Sequence, residues 1–282
     1  MTMDAAPDLA LATMSYTLDG EVAVIAFDHG KVNAMTPAMH RELFHVLQHF
    51  LSDRRSKIAV LTSAGDKPFS VGEDIKTPRP QEDTRAYVSR HLDPHAGELD
   101  GEAPGRPGWD WDILNLQRYK PIVAAVQGWC LGQAILYLLH HTDIRLAADD
   151  AKFGFPEVAY EMGGVGGWVR LARQVPHVHA MEMLLTGDMV DADHAARINL
   201  VNRVVPQSAL REEALTLARR IARHPALGLR TEMESYYRGH DMTREQAVAF
   251  GAHLYRLQRV AAGEEALERG FRQRQRPDRD DA

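Results

Sequence analysis

Two glycine-containing segments follow apolar runs and have the residues to present backbone N–H groups to a negatively charged atom. Residues 127–134 come directly after the apolar run 122–126 and open a predicted helix. The first N–H groups of a helix have no intrahelical acceptor and lie at the positive end of its dipole, so they favour a developing negative charge. Residues 69–75 follow a second apolar run, and Gly72 lets the backbone there approach a ligand without a side-chain clash.

One glutamate, Glu157, is the strongest candidate for moving protons. It ends the run Lys-Phe-Gly-Phe-Pro-Glu at 152–157, and a glycine-rich segment follows at 163–167. Burial beside Phe153 and Phe155 would raise the pKa of this carboxyl towards neutrality, which suits a general acid or base. The alternative is a surface carboxylate that caps a turn, and the surrounding motif favours the catalytic role.

Metal and nucleotide chemistry are not predicted. The 14 histidines include His140-His141 and His177-x-His179, but neither pair has the partners of an established zinc pattern. The glycines of 163–167 lack the Lys-Ser/Thr that follows in a phosphate-binding loop. The single cysteine, Cys130, excludes an intrachain disulfide, and we expect a packing role for it.

The elements that position these segments alternate between strands and helices. A hairpin turn is predicted at Asp19-Gly20, and Thr36-Pro37 supplies an N-cap and a first helical residue. The predicted strands are residues 16–18, 22–27, 58–62, 122–126 and 144–147. Strands that alternate with helical patterns predict an α/β core.

A long loop and a helical region make up the rest of the chain. Residues 77–109 are rich in Pro, Gly, Asp and His and predict a loop with one helix near 82–90; loops of this length are usually lids or binding loops. The predicted helices beyond residue 206 are 207–222, 225–238, 243–262 and 264–273. We therefore predict a core domain over 1–205 and a helical oligomerisation region over 206–282.

Charge and composition narrow the possible partners. The net charge of −6 disfavours general nucleic-acid binding, and no apolar run approaches the ~18 residues of a membrane-spanning helix. The first residues lack the basic and apolar parts of a signal peptide. A single cysteine among 282 residues fits a reducing compartment, so we expect a cytoplasmic protein without nucleic-acid or membrane partners.

Four segments together resemble the crotonase, or enoyl-CoA hydratase/isomerase, family, and the resemblance spans residues 15–275. The four segments are 31–36, 69–75, 127–134 and 152–157. The resemblance implies an α/β spiral of ββα turns followed by a C-terminal helical trimerisation region, in a homotrimer or a dimer of trimers. It also implies an acyl-CoA substrate and no cofactor beyond that coenzyme A.

The resemblance also implies roles for particular residues. The backbone N–H groups of Glu73 and Gln133 would form an oxyanion hole for the thioester, with Gly132 before the second donor. Ala134 becomes that donor if the one-residue difference in spacing falls earlier in the segment. Glu157 falls on a family carboxylate that moves protons at the α or β carbon. The family usually has Ala or Gly at position 73; the extra carboxylate would either narrow the site or point to solvent, and we expect the second.

Further residues would lie beside the coenzyme A part of the substrate. Asp74 would orient its turn or cap a helix after it, and a basic residue near the C-terminus would meet the phosphates. The residues implied by the resemblance are Lys31, Val32, Ala34, Val71, Gly72, Asp74, Ile75 and Arg274.

The second glutamate used by hydratases of the family is missing. Its position holds Leu136, or Tyr137 under the shifted alignment, so two-carboxylate hydration is predicted to be impaired. Double-bond isomerisation needs one carboxylate and the hole. The Trp109-Asp110-Trp111 segment also resembles relatives that hydrate and cleave hydroxycinnamoyl-CoA. A non-catalytic acyl-CoA-binding protein is a further alternative, and Glu161 is a conceivable substitute acid.

Overall fold

The structure is a computed structural model that describes residue 9 and residues 11–77, 83–93, 108–163 and 168–263. Contacts between residues divide the chain into two units, with the boundary after Ala222. The predicted helix 264–273 and Arg274 lie outside the described residues. Within the described part of the chain, no helix is both long enough and apolar enough to cross a membrane.

The first unit is built on a six-stranded sheet in which only the first strand is antiparallel to its neighbour. The strands of the described residues are β1 (Met14–Asp19), β2 (Val22–Phe27), β3 (Ile58–Ser63), β4 (Ile122–Val126), β5 (Trp129–Leu131), β6 (Ile144–Ala148), β7 (Lys152–Gly154), β8 (Val190–Asp191) and β9 (Arg203–Val205). The large sheet has the order β1-β2-β3-β4-β6-β9. Every residue of β2, β3 and β4 is buried, as expected when both faces of a sheet are covered.

The remaining strands form a small sheet in the order β5-β7-β8. The helices are α1 (Pro37–Ser52), α2 (Thr84–Leu92), α3 (Trp109–Asn115), α4 (Gln133–His141), α5 (Trp168–Gln174), α6 (His177–Thr186), α7 (Ala192–Arg197), α8 (Gln207–Ala222), α9 (Ala226–Gly239) and α10 (Arg244–Ala262). The order β4-β5-α4 places one strand in each sheet before a helix, and β6-β7 begins the next turn in the same way. This repeated path confirms the predicted spiral of ββα turns.

Helix α8 packs on the large sheet, so it belongs to the first unit. Its buried residues Leu210, Ala214 and Leu217 cluster with Val24 and Val60 on one face of the sheet. The structural boundary therefore falls after Ala222 and not after residue 205, because the apolar face of α8 is covered by the strands of its own chain. The second unit contains α9 and α10, which pack on each other.

The described residues of the segment predicted as a loop with one helix over 77–109 contain one helix, and a helix that was not predicted follows the segment. Helix α2 spans Thr84–Leu92, close to the predicted 82–90, and α3 begins at Trp109, the last residue of the segment. Trp109 and Ile113 are buried, and the Trp109 ring lies 5.6 Å from that of Phe44 in α1. Burial of these two side chains stabilises this short helix, which composition alone does not predict.

Candidate active site

The segment 69–74 lies between two other stretches of backbone and is held by hydrogen bonds on both sides. The Ser70 N–H donates to the Trp129 carbonyl over 2.8 Å, and the Leu131 N–H donates to the Ser70 carbonyl over 3.1 Å. On the other side, the Met35 N–H donates to Gly72 and the Asp74 N–H donates to Met35. Met35 and Glu73 thus form a parallel β-bridge. The backbone groups of successive residues point to opposite sides of such a strand, so the Glu73 N–H is directed away from Met35.

The N-terminus of α4 meets this segment. Gly132 is the N-cap with a φ of 53°, its N–H donates to the Gly154 carbonyl over 2.9 Å, and α4 begins at Gln133. A Cβ at position 72 would lie 2.6 Å from the Leu131 carbonyl oxygen and 3.2 Å from the Gln133 nitrogen. Gly72, with a φ of 85°, thus lets the predicted hole segments approach each other, and no other residue type fits there.

Gln133 is the first residue of α4, which bears on the choice between the two predicted donors. The N–H groups of the first helical turn have no intrahelical acceptor, and the Gln133 nitrogen is among the three atoms nearest to a Cβ placed at position 72. Gln133 also follows the left-handed Gly132 directly, as Glu73 follows the left-handed Gly72. The geometry therefore favours Gln133 over Ala134 as the second donor.

Glu157 lies against the same helix start. It is carried by a short 3₁₀ helix, Pro156–Tyr160, and a Cβ at position 132 would lie 2.8 Å from its Oε1 atom. Its Oε2 atom is buried, with no hydrogen-bond partner among the described residues. Burial raises the pKa of Glu157, because the charged carboxylate is disfavoured away from water. The carboxyl group and the predicted hole are thus adjacent, and the shift suits a group that exchanges protons.

The side chain of Glu73 has a partner, which the sequence did not predict. Its Oε2 atom lies 2.7 Å from His40 Nε2, and His40 Nδ1 lies 2.6 Å from the hydroxyl of Tyr137. The expectation that the Glu73 carboxylate points only to solvent is therefore wrong. The signal for His40 was its place on the apolar stripe of α1, three residues before the buried Leu43.

The remaining predicted residues fall around the same backbone. Val71 donates to the Val32 carbonyl, while Lys31 is exposed and Ala34 is half-buried. The carboxylate of Asp74 accepts hydrogen bonds from the N–H groups of residues 76 and 77, so it orients its own turn, and no helix follows within 75–77. Ile75 is 54% exposed.

Other candidates do not join the site. Glu161 is exposed at the end of the 3₁₀ helix. Cys130 is fully buried, and burial raises the pKa of its thiol, which fits the predicted packing role. Among the described residues, no group of three or more His, Cys, Asp or Glu side chains is placed to hold a metal ion.

Comparison with known proteins identifies the family. The family model of the enoyl-CoA hydratase/isomerase enzymes matches residues 17–99 and 108–275. The chain belongs to the enoyl-CoA hydratase/isomerase family, within the crotonase superfamily. It is 32% identical to the (E)-benzylidenesuccinyl-CoA hydratase of Thauera aromatica, over 87% of this chain and 90% of that protein. It is 30% identical to the carnitinyl-CoA dehydratase of Escherichia coli K12, over 91% and 93% of the two chains.

The fold agrees with the same family. The crystal structure of the enoyl-CoA hydratase of Bacillus anthracis superposes with a TM-score of 0.76 at 25% identity, covering 93% of this chain and 97% of that one. This agreement confirms that the chain has the predicted fold, which is that of the enoyl-CoA hydratase/isomerase enzymes.

Gly132 offers a test of the contact between the predicted hole and the Glu157 carboxyl group. In Gly132→Ala the new methyl group would displace Glu157 Oε1. The left-handed backbone at position 132 would also destabilise the alanine variant by about 1–3 kcal/mol, because a residue with a side chain is strained there. We expect kcat for an enoyl-CoA thioester to fall by about 10²-fold, since a displacement near 1 Å has that cost. Gly228→Ala, whose new methyl group makes only ordinary contact, is the control. A Gly132→Ala enzyme with unchanged kcat would contradict this geometry.

The buried carboxyl group also predicts a pH-dependent stability difference. Because the pKa of Glu157 is raised in the folded protein, the wild type loses stability as the pH rises through that pKa. Glu157→Gln has no such group. We expect its melting temperature to exceed that of the wild type by about 2 °C at pH 8 and to equal it near pH 4. Thermal unfolding at both pH values checks the sign, and a difference confined to acid pH would contradict it.

Proposed function

We propose that this enzyme hydrates 2-enoyl-CoA thioesters, or dehydrates the corresponding 3-hydroxyacyl-CoA, with Glu157 as the acid/base. The thioester oxygen would bind between the N–H groups of Glu73 and Gln133. The observation that carries the proposal is the position of the Glu157 carboxyl against Gly132, which directly precedes Gln133. A proton held there is next to the site where the enolate would form.

In the proposed reaction the oxyanion hole stabilises the enolate and the Glu157 carboxyl group transfers a proton. Water forms a bond to the β carbon and releases one proton to a base or to solvent, and the double-bond electrons move onto the thioester oxygen to give an enolate. The two N–H groups stabilise that oxyanion, and donors of this type typically contribute about 3–4 kcal/mol each. Protonated Glu157 then gives its proton to the α carbon. The raised pKa of Glu157 favours the protonated form that this step needs.

The names of the relatives favour hydration over the other reactions of the family. Both curated relatives above are named for adding or removing water at an acyl-CoA. The substrate supplies its own coenzyme A, and the proposal requires no further cofactor. Contacts of coenzyme A with the 31–36 and 71–75 segments, and assembly as a trimer or dimer of trimers, are parts of this proposal.

A survey of three thioesters tests the reaction class. Purified enzyme is incubated with 2-enoyl-CoA, 3-enoyl-CoA and hydroxycinnamoyl-CoA while the thioester absorbance and the products are followed. We expect the absorbance of 2-enoyl-CoA to fall as 3-hydroxyacyl-CoA forms. Conversion of 3-enoyl-CoA alone would replace hydration by isomerisation, and cleavage of hydroxycinnamoyl-CoA would assign a lyase. No turnover of any of the three would contradict the proposal.

A further inference from the structure

An array of hydrogen bonds connects Glu73 to α4. The Glu73 carboxylate is 2.7 Å from His40 Nε2, and the Tyr137 hydroxyl is 2.6 Å from His40 Nδ1. Exposure falls along the array: the Glu73 side chain is 35% exposed, while His40 and Tyr137 are 4% and 1% exposed. One end of the array is therefore fixed in the core, and the carboxylate at the other end reaches solvent.

The hydrogen-bonding capacity of these groups sets their roles. An ionised carboxylate only accepts, so His40 Nε2 carries the proton and donates to Glu73. His40 Nδ1 is then an acceptor, and the Tyr137 hydroxyl donates a hydrogen bond to it. Burial raises the pKa of Tyr137 well above its ordinary value, and the charges of Asp110 and Glu73 add to the effect against the opposing Gln133 side chain. Tyr137 thus stays a donor and fixes the imidazole tautomer.

The array ends beside the reaction centre described above. Glu73 follows Gly72, where a Cβ would lie 3.2 Å from the Gln133 nitrogen. Glu157 reaches the neighbouring Gly132 from a different element. Two carboxyl groups therefore belong to segments that meet at the start of α4. Tyr137, four residues after Gln133 in α4, is linked by hydrogen bonds through His40 to one of them.

We propose that the Glu73 carboxylate, oriented by His40 and Tyr137, is the base that takes a proton from the attacking water. This inference rests on the proposed hydration. One O–H bond of water breaks and its proton goes to Glu73, while the oxygen forms a bond to the β carbon. The double-bond electrons move to the thioester oxygen, and Glu157 supplies the proton of the new C–H bond at the α carbon. Glu73 ends protonated and Glu157 ionised, so one proton exchanged with solvent restores the starting state.

Glu73→Gln separates this role from that of the backbone. Glutamine keeps the N–H of the hole and has an oxygen that can accept from His40, but it is not a base at neutral pH. Two rates are measured: hydration of 2-enoyl-CoA, and exchange of the α protons of a saturated acyl-CoA in D2O, followed by mass spectrometry. The exchange needs the hole and Glu157 but no attacking water.

We expect Glu73→Gln to lower the hydration kcat by about 10²-fold, while α-proton exchange stays within about threefold of the wild type, a difference under 1 kcal/mol. Glu161→Gln, on an exposed carboxylate, is the matched control and should change neither rate. Unchanged hydration in Glu73→Gln, or equal losses of hydration and exchange, would overturn the role of Glu73 and leave the proposed function standing. A wild type with neither rate would overturn the proposed function itself.

The positioning role of Tyr137 and His40 is tested by the kinetic constants of a Tyr137 variant. Tyr137→Phe removes one oxygen atom and releases the His40 tautomer. We expect a hydration kcat about tenfold lower with unchanged KM and unchanged exchange, a split that a general loss of packing would not give. This variant also carries the comparison if Glu73→Gln does not fold. A parallel fall in exchange, or a rise in KM with unchanged kcat, would contradict the positioning role.

Discussion

Replacing Glu157 by glutamine is expected to lower the hydration kcat by about 10³-fold, within the range usual for a general acid or base. Glutamine has nearly the same size and retains a polar group beside Gly132, so substrate binding should change little. The loss should therefore fall on kcat, with KM within about threefold of the wild type. α-Proton exchange should fall with it, because the same carboxyl group serves both reactions.

Glu161→Gln is the control for this prediction, since Glu161 is an exposed carboxylate four residues further along the chain. Its kinetic constants should match those of the wild type. Stopped or continuous assays of thioester absorbance give kcat and KM for both variants. A Glu157→Gln enzyme that retains more than a tenth of the wild-type kcat would contradict the acid/base role, because about tenfold is too small for loss of that group.

Replacing Gln133 by proline is expected to remove the second donor of the oxyanion hole. Proline has no N–H, and it is well tolerated at the first position of a helix, which is the place of Gln133 in α4. Gln133→Ala keeps the N–H and loses the same side chain, so it is the reference for the effect of the backbone group. Relative to Gln133→Ala, we expect the kcat of Gln133→Pro to be lower by about 10²–10³-fold.

Thermal unfolding distinguishes a lost donor from a damaged helix. Both variants should melt within about 4 °C of each other, a difference near 1 kcal/mol for a protein of this size. Equal kcat values in a folded Gln133→Pro would show that the N–H of Gln133 does not stabilise the transition state. Loss of activity in the Ala134→Pro variant alone would transfer the role to residue 134.

The sequence predicts the strands and the helix ends that depend on local patterns. β2 and β4 lie at the predicted residues because their apolar runs are continuous, and α1 begins after Thr36, whose side chain accepts from the Met39 N–H. Gly72 and Gly132 both have the positive φ expected of glycines that bring two backbones together. Each of these features is decided within a few residues.

Features that depend on distant partners were not predictable in this way. The apolar face of α8 reads equally well as an oligomer contact or as a cover for the sheet, and a single sequence does not say which surface meets it. The direction of the Glu73 side chain depends on His40, 33 residues earlier, and His40 depends on Tyr137, 97 residues later. A histidine on an apolar stripe predicts burial but not its partner.

The central claim, that the thioester oxygen binds between two backbone N–H groups beside Glu157, is tested most directly by a crystal structure. Glu157→Gln is soaked with a 2-enoyl-CoA, so that the substrate stays intact. We predict that the thioester oxygen lies about 2.7–3.1 Å from the nitrogens of both Glu73 and Gln133, with the α carbon against residue 157. A thioester oxygen bonded to neither nitrogen, in an otherwise unchanged structure, would contradict the account.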